Sequence, residues 1–288
     1  MKGEIPIDFE YQQYLREVLL ESEPKSSLYI ATEKDFSMNN GIEFPYRSNF
    51  YAFGILHQSK CELQVGINTY ELKKKSLTLV GPRIVRNWTL NNWDMENTTV
   101  FFKESLFQKP FYRNFLLDYD FFKVGAKHVV NLSNEEYTIL NSLIKTLQEF
   151  KNNANVSSGL LFSILEYINV IYSSTGVNHS LSRYEEISQN FCELLYKNYR
   201  SQKNVKFYSE NLNLTSKHLS EVLKKTIGKT IKQSIEEMTI LESQSLLKQT
   251  AMDIKEIMYW LGYEDPSYFT KFFKNKVGLT PSEYRSKV

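Results

Sequence analysis

Two segments, residues 215–230 and 265–280, carry side chains suited to gripping phosphates and base edges. In the first these are Ser216, Lys217, Ser220, Glu221 and Lys224, and in the second Ser267, Tyr268, Thr270, Lys271 and Lys274. Lysine offers a point charge to a phosphate or a guanine acceptor, while Tyr and Thr offer apolar contact to a thymine methyl. Such chemistry needs a rigid outward face, and the residues between these positions supply one. Leu219 stands against Phe269, Val222 against Phe272, Leu223 against Phe273 and Ile227 against Val277, with Lys224, Gly228 and Thr230 recurring as Lys274, Gly278 and Thr280. This spacing predicts two amphipathic helices that bury the apolar set and present the polar one.

Each of these helices needs a partner to hold it. Asp253 and Glu256 have the form of a capping box and open a helix with Ile254, Ile257, Met258 and Leu261 on one face. Gly262 can take the positive φ that stops it, and Asp265 with Pro266 can start the next helix, which Gly278 ends. Helix, glycine turn, helix is a helix-turn-helix unit, whose second helix enters the DNA major groove. Residues 205–211, a turn at 212–214 and Thr215 as N-cap repeat the order. The connector, residues 231–249, spans roughly 30 Å as a helix, close to the roughly 34 Å between major-groove faces on one side of a duplex. One chain would then carry two reading heads for successive groove segments.

Charge agrees with that reading. Residues 195–288 hold 16 basic against 10 acidic residues, whereas residues 1–194 hold 19 against 23. Only the C-terminal part is built to face a polyanion. Of 35 basic residues just 8 are Arg, and neither recognition segment contains one. The bidentate Arg–guanine contact is absent there, which predicts an A/T-rich target read partly through DNA shape.

Residues 253–285, DIKEIMYWLGYEDPSYFTKFFKNKVGLTPSEYR, closing on Gly278, Thr280, Pro281, Tyr284 and Arg285, resemble the signature of the AraC/XylS bacterial transcription regulators. The resemblance extends over about residues 187–285. It implies a cytoplasmic, sequence-specific DNA-binding regulator, with double-stranded operator DNA as partner and RNA polymerase as a further one. The chain departs from the family pattern at Thr239 and Ser243, where an Arg and a small Ala are usual, and at Met258, another usual Ala. A lost Arg in the connector implies loss of a structural or phosphate contact.

The N-terminal half reads differently. From Leu28 to about Phe102 short runs rich in aromatic and β-branched residues, such as FYAFGILH, CELQVGI and SLTLVGP, predict an antiparallel sandwich or barrel. After Asn131 the period changes, and Tyr137, Leu140, Ile144, Leu147, Phe150, then Leu161, Ile164, Leu165, Ile168, Ile171, predict two helices. Leu160, Phe162 and Val170 lie off the second stripe, so that helix either packs on the β domain or meets a second subunit. Residues 45–88 more distantly resemble the cupin-like sensor domain that often precedes this DNA-binding domain. That resemblance implies a jelly roll with a pocket for a small-molecule effector and a helical dimerisation segment, hence a homodimer. Arg47, Tyr51, Arg86 and Trp88 are the candidate lining, suited to an anionic or hydroxylated ligand. Lys75 stands where the related barrels have a turn glycine.

Other function classes find little support. Four histidines, His57, His128, His179 and His218, and two cysteines, Cys61 and Cys192, make no metal spacing and no disulfide framework. No nucleophile elbow, phosphate loop or H-E-x-x-H motif occurs, so neither an enzyme nor a cofactor is expected. The most apolar window, residues 159–172, is too short to span a bilayer, and the N-terminus offers no secretory signal. The chain is therefore expected to be an α+β multidomain protein. Its parts are a cupin-like β-barrel or jelly roll with its dimerisation helices (1–175), a linker (176–182) and an all-α domain with two helix-turn-helix units (183–288). The rival reading is a ligand-binding or interaction module that keeps the helical bundle as scaffold.

Overall fold

The computed structural model describes residues 8–18, 26–32, 34–35, 42, 44–89, 96–107, 115–174 and 183–287. The predicted linker, His179 included, lies outside them. A short helix, α1 (Tyr11–Val18), precedes strands β1 (Leu28–Thr32), β2 (Tyr51–Leu56), β3 (Cys61–Val65), β4 (Asn68–Leu72), β5 (Ser76–Val80), β6 (Arg86–Thr89), β7 (Asn97–Phe102) and β8 (Val129–Asn131). They form two antiparallel sheets, of order β1-β7-β2-β5-β8 and β4-β3-β6. Lys75, at φ 68°, takes the left-handed turn before β5 without being glycine.

Strand β2 is buried along its whole length because both its faces are covered. Tyr51, Phe53 and Ile55 meet α2 (Asn134–Glu149) and α3 (Ala154–Tyr172) in one apolar core. Phe50 and Ala52 point the other way, into a core with Tyr11, Tyr14 and Leu15 of α1. The main stripe of α3, Leu161 to Ile171, is thus buried within the chain, while Val170 is 64% exposed. The 19-residue α3 is long and apolar enough to cross a membrane, which corrects the expectation drawn from the shorter window at 159–172. In this fold it serves as a core helix of the sheet domain.

The helical domain comprises α4 (Arg183–Asn198), α5 (Val205–Asn211), α6 (Ser216–Thr226), α7 (Ile231–Gln249), α8 (Ile254–Trp260), α9 (Pro266–Val277) and α10 (Pro281–Ser286). Its core gathers Phe191, Tyr208, Leu219, Leu223, Leu246, Ile257, Phe269 and Phe273, and it extends to Ile67 and Val85 of the sheet domain.

Candidate nucleic-acid interface

Both helix-turn-helix units are built from local capping. Asn204 accepts from Lys206 N–H and caps α5, and Thr215 accepts from His218 N–H and caps α6. In the second unit Asp253 and Glu256 form a reciprocal capping box on α8, and Asp265 accepts from Ser267 and Tyr268 N–H at the start of α9, with Pro266 at its first position. The turn residues match in conformation: Asn213 (φ 54°) in the first unit does what Gly262 (φ 78°) does in the second. Asn tolerates the left-handed region better than other side-chain residues, which is why the first turn functions without glycine. Gly278, at φ 85°, ends α9 as a left-handed cap.

This framework settles which side chains face outward. On α6, Leu219, Val222 and Leu223 are buried, and Lys217, Glu221 and Lys224 are exposed. Ser220 is half-buried, and Ser216 is drawn inward, its hydroxyl sharing a 2.8 Å hydrogen bond with that of Ser209 on α5. On α9, Phe269 and Phe273 are buried, and Ser267, Tyr268, Lys271 and Lys274 are exposed, with Thr270 half-buried. Phe272, placed by its spacing in the core, is only half-buried and lies against Tyr263, with ring planes 25° apart and centroids at 5.6 Å. Tyr268, 61% exposed, stacks on the same Tyr263. Among the described residues none of the exposed lysines named on α6 and α9 forms an ion pair, so their charge is available to a polyanion. Lys276 differs: it pairs with Glu236 of α7 at 2.6 Å and ties α9 to the connector.

Thr239 and Ser243 are fully buried, and their hydroxyls donate to the carbonyls of Ile235 and Thr239 one turn back. A residue at Thr239 therefore meets protein rather than a phosphate. The amine of Lys203 donates to Thr239 Oγ1 at 3.0 Å, so a cation reaches this position from the turn after α4. No periodicity signals such a residue; its partner identity emerges only when the turn and α7 are packed together.

The four residues expected to line a pocket are not brought together. Arg47 lies between the domains, paired with Glu242 of α7 and donating to Tyr199 Oη at 3.0 Å. Tyr51 faces the opposite side of β2, stacked on Phe102. Arg86 is buried beside Ser48, its guanidinium 5.0 Å from the centre of the Tyr46 ring and 5.5 Å from that of Phe50. Trp88 is half-buried near this aromatic cluster. Alternation along β2 separates Tyr51 from the side occupied by Phe50. Among the described residues no group of three or more His, Cys, Asp or Glu could hold a metal ion. Burial pushes the thiols up, Cys61 to about 11 and Cys192 to about 12.

With this geometry in place, the helical domain defines a class: two capped helix-turn-helix units on one connector helix. A helix-turn-helix domain family matches residues 208–287. The chain is 26% identical over 153 residues to the Msm operon regulatory protein of Streptococcus mutans, covering 51% of this chain and 55% of that one. It is 37% identical over 76 residues to the xylose operon regulatory protein of Haemophilus influenzae, covering 26% of this chain and 20% of that one. Among solved structures, ToxT of Vibrio cholerae is 16% identical with a TM-score of 0.42, over 90% of this chain and 95% of that one. The matches span about half or less of the length of these curated relatives. Its C-terminal domain is thus similar to the helix-turn-helix domains of operon regulators.

Proposed function

We propose that the protein is a cytoplasmic, sequence-specific DNA-binding transcription regulator whose α6 and α9 enter successive major-groove segments of one duplex. The observation that carries this is the repeated presentation of exposed lysines on two capped recognition helices: Lys217 and Lys224 on one, Lys271 and Lys274 on the other. Base contacts would come from Ser220, Glu221, Tyr268, Thr270 and Lys271, with the remaining lysines on phosphates. Ser267 through its hydroxyl, and Ser216 through its main-chain N–H alone because its hydroxyl is spent on Ser209, would contact the DNA backbone at the helix starts.

The reading extends to the N-terminal half as a sensor. Its two antiparallel sheets support a cupin-like jelly roll, with a small-molecule effector acting through residues 1–175. The exposed Val170 on α3 supports a homodimer through that helix. RNA polymerase would then be the partner that converts operator binding into a change of transcription.

Selection of the full chain on random duplex DNA at about 150 mM salt, where non-specific binding is weak, tests the proposal. Two enriched A/T-rich half-motifs about one helical turn apart are expected. Weak, salt-sensitive binding without enrichment would instead favour the scaffold reading.

A further inference from the structure

The turn that leads into the first reading head touches the second head directly, so the two are linked by more than α7. The turn after α4, residues 199–204, packs on the turn between α8 and α9. The Arg200 carbonyl oxygen approaches Gly262 so closely that a Cβ there would stand 2.0 Å from it. The guanidinium of Arg200 lies 4.3 Å over the Trp260 ring. Lys203 completes the junction: its amine donates to the Tyr199 carbonyl and to Thr239 Oγ1, and it sits 5.1 Å from the centre of the Tyr263 ring. One amine thereby holds the turn before the first unit, the connector and the turn of the second unit.

Tyr263 passes this hold to the recognition face. Its ring is stacked on exposed Tyr268, with centroids at 5.9 Å, and on Phe272. Desolvation pulls Lys203 down to about 8, so at neutral pH it remains mostly a cation, attracted by the ring faces around it. Lysine chosen for a site this enclosed, where an apolar side chain would avoid that penalty, argues for geometry over stability.

We infer that Lys203, supported by Arg200, is a positioning residue that fixes the angle between the two heads, so that the protein reads half-motif spacing as strictly as base identity. This rests on the DNA-binding function proposed above. A one-base-pair insertion moves the second half-motif by about 3.4 Å and turns it by roughly 35° about the duplex axis. Two heads hinged only on a helix could adjust to that change, whereas heads docked through Lys203, Arg200 and Gly262 cannot.

The test uses the full chain and the pair of half-motifs it selects from random duplex DNA, rebuilt with insertions and deletions of one base pair between them. For the wild type a one-base-pair change should cost about tenfold or more in affinity, the scale of a mismatched base pair. Lys203→Met and Arg200→Ala should each shrink that penalty to less than about threefold while selecting the same half-motifs, and Lys203→Arg should keep it. A side chain needed only for bulk would be replaced by Met without changing the spacing penalty. Retention of the full penalty by both Lys203→Met and Arg200→Ala, each folded by circular dichroism, would overturn the inference. Should Lys203→Met fail to fold, Arg200→Ala, which removes an exposed ring contact alone, decides. A wild type that selects no motif would sink the DNA-binding reading and this inference with it, an outcome separate from unaltered spacing in the variants.

Discussion

Arg47 of the sheet domain and Glu242 of α7 form an ion pair across the domain boundary, with the Glu242 side chain fully buried. The contact is one of several along the same helix. Gln249 pairs with the main chain of Arg47 in both directions, accepting from its N–H at 3.0 Å and donating to its carbonyl at 3.1 Å. Near the other end of α7, Lys229 donates to the Ile67 carbonyl at 2.6 Å and pairs with Glu237, which also accepts from Gln64 at 2.6 Å. The sheet domain grips the connector from just before its start to its last residue. Any change in the sheet domain that shifts these contacts acts on the element that separates the reading heads.

Breaking this pair from one side should be costly. Arg47→Met leaves Glu242 buried without its counter-ion, and loss of one partner of a buried pair costs about 3–5 kcal/mol. The double variant Arg47→Met with Glu242→Leu removes both charges and should recover most of that loss. Denaturant unfolding of the full chain checks this. A double variant no more stable than the single one would mean that the two residues are energetically independent.

On the DNA side, Lys217→Ala and Lys271→Ala separate two roles. A lysine on a base edge should lose about 1–3 kcal/mol of affinity at one position of the target and relax preference there. A lysine on phosphate should weaken all sequences alike and lower the salt slope by about one unit. Titrations of the selected and a scrambled duplex at several salt concentrations distinguish the two. No change in either quantity for both variants would remove these helices from the interface. Ser216→Ala should act through the fold instead, because its hydroxyl is spent on Ser209.

Much of the helical domain was legible because its signals are local. The connector falls at Ile231–Gln249 and α5 at Val205–Asn211, the spans the spacing predicts, because N-caps and turn residues fix both ends. Phe272 departs from its predicted burial because its neighbour Tyr263 comes from the preceding turn, which helical periodicity cannot register. Strand β8 has only three residues, Val129–Asn131, too few for alternation to show, and becomes a strand by pairing with β5. Arg47 and Arg86 drew attention as charges in an aromatic stretch. Their fates diverge through partners remote in sequence, Glu242 for one and the aromatic nest of Tyr46 and Phe50 for the other.

Gly262 and Gly278 should respond very differently to alanine. Both have positive φ, so each substitution costs about 1 kcal/mol of backbone strain. At Gly278 nothing lies within 4 Å of an added Cβ, and the cost should stop there. At Gly262 the Arg200 carbonyl lies 2.0 Å away, and backbone must move. Gly262→Ala should therefore destabilise the chain by at least about 2 kcal/mol more than Gly278→Ala, in the range of overpacked sites. Equal unfolding midpoints would show that the turn contact is loose.

Acid should reveal His128. The ring is buried, its Nδ1–H donating to the Leu79 carbonyl at 2.8 Å, which fixes the neutral tautomer. Burial, with a smaller contribution from the Arg86 charge, pulls it from its ordinary 6.5 to about 4. In the window between these values the unfolded chain binds a proton that the folded chain does not, so stability falls as pH drops. The stabilisation is complete above about pH 6.5 and lost by about pH 4, amounting to on the order of 3 kcal/mol. Carboxylates titrate in the same range, so the difference between wild type and His128→Gln is the informative quantity. Glutamine lacks the titration, and the wild type's stability relative to the variant should decline by that amount as pH falls from 6.5 to 4. A difference that stays constant across the window would mean that the folded protein accepts the proton on His128 without penalty.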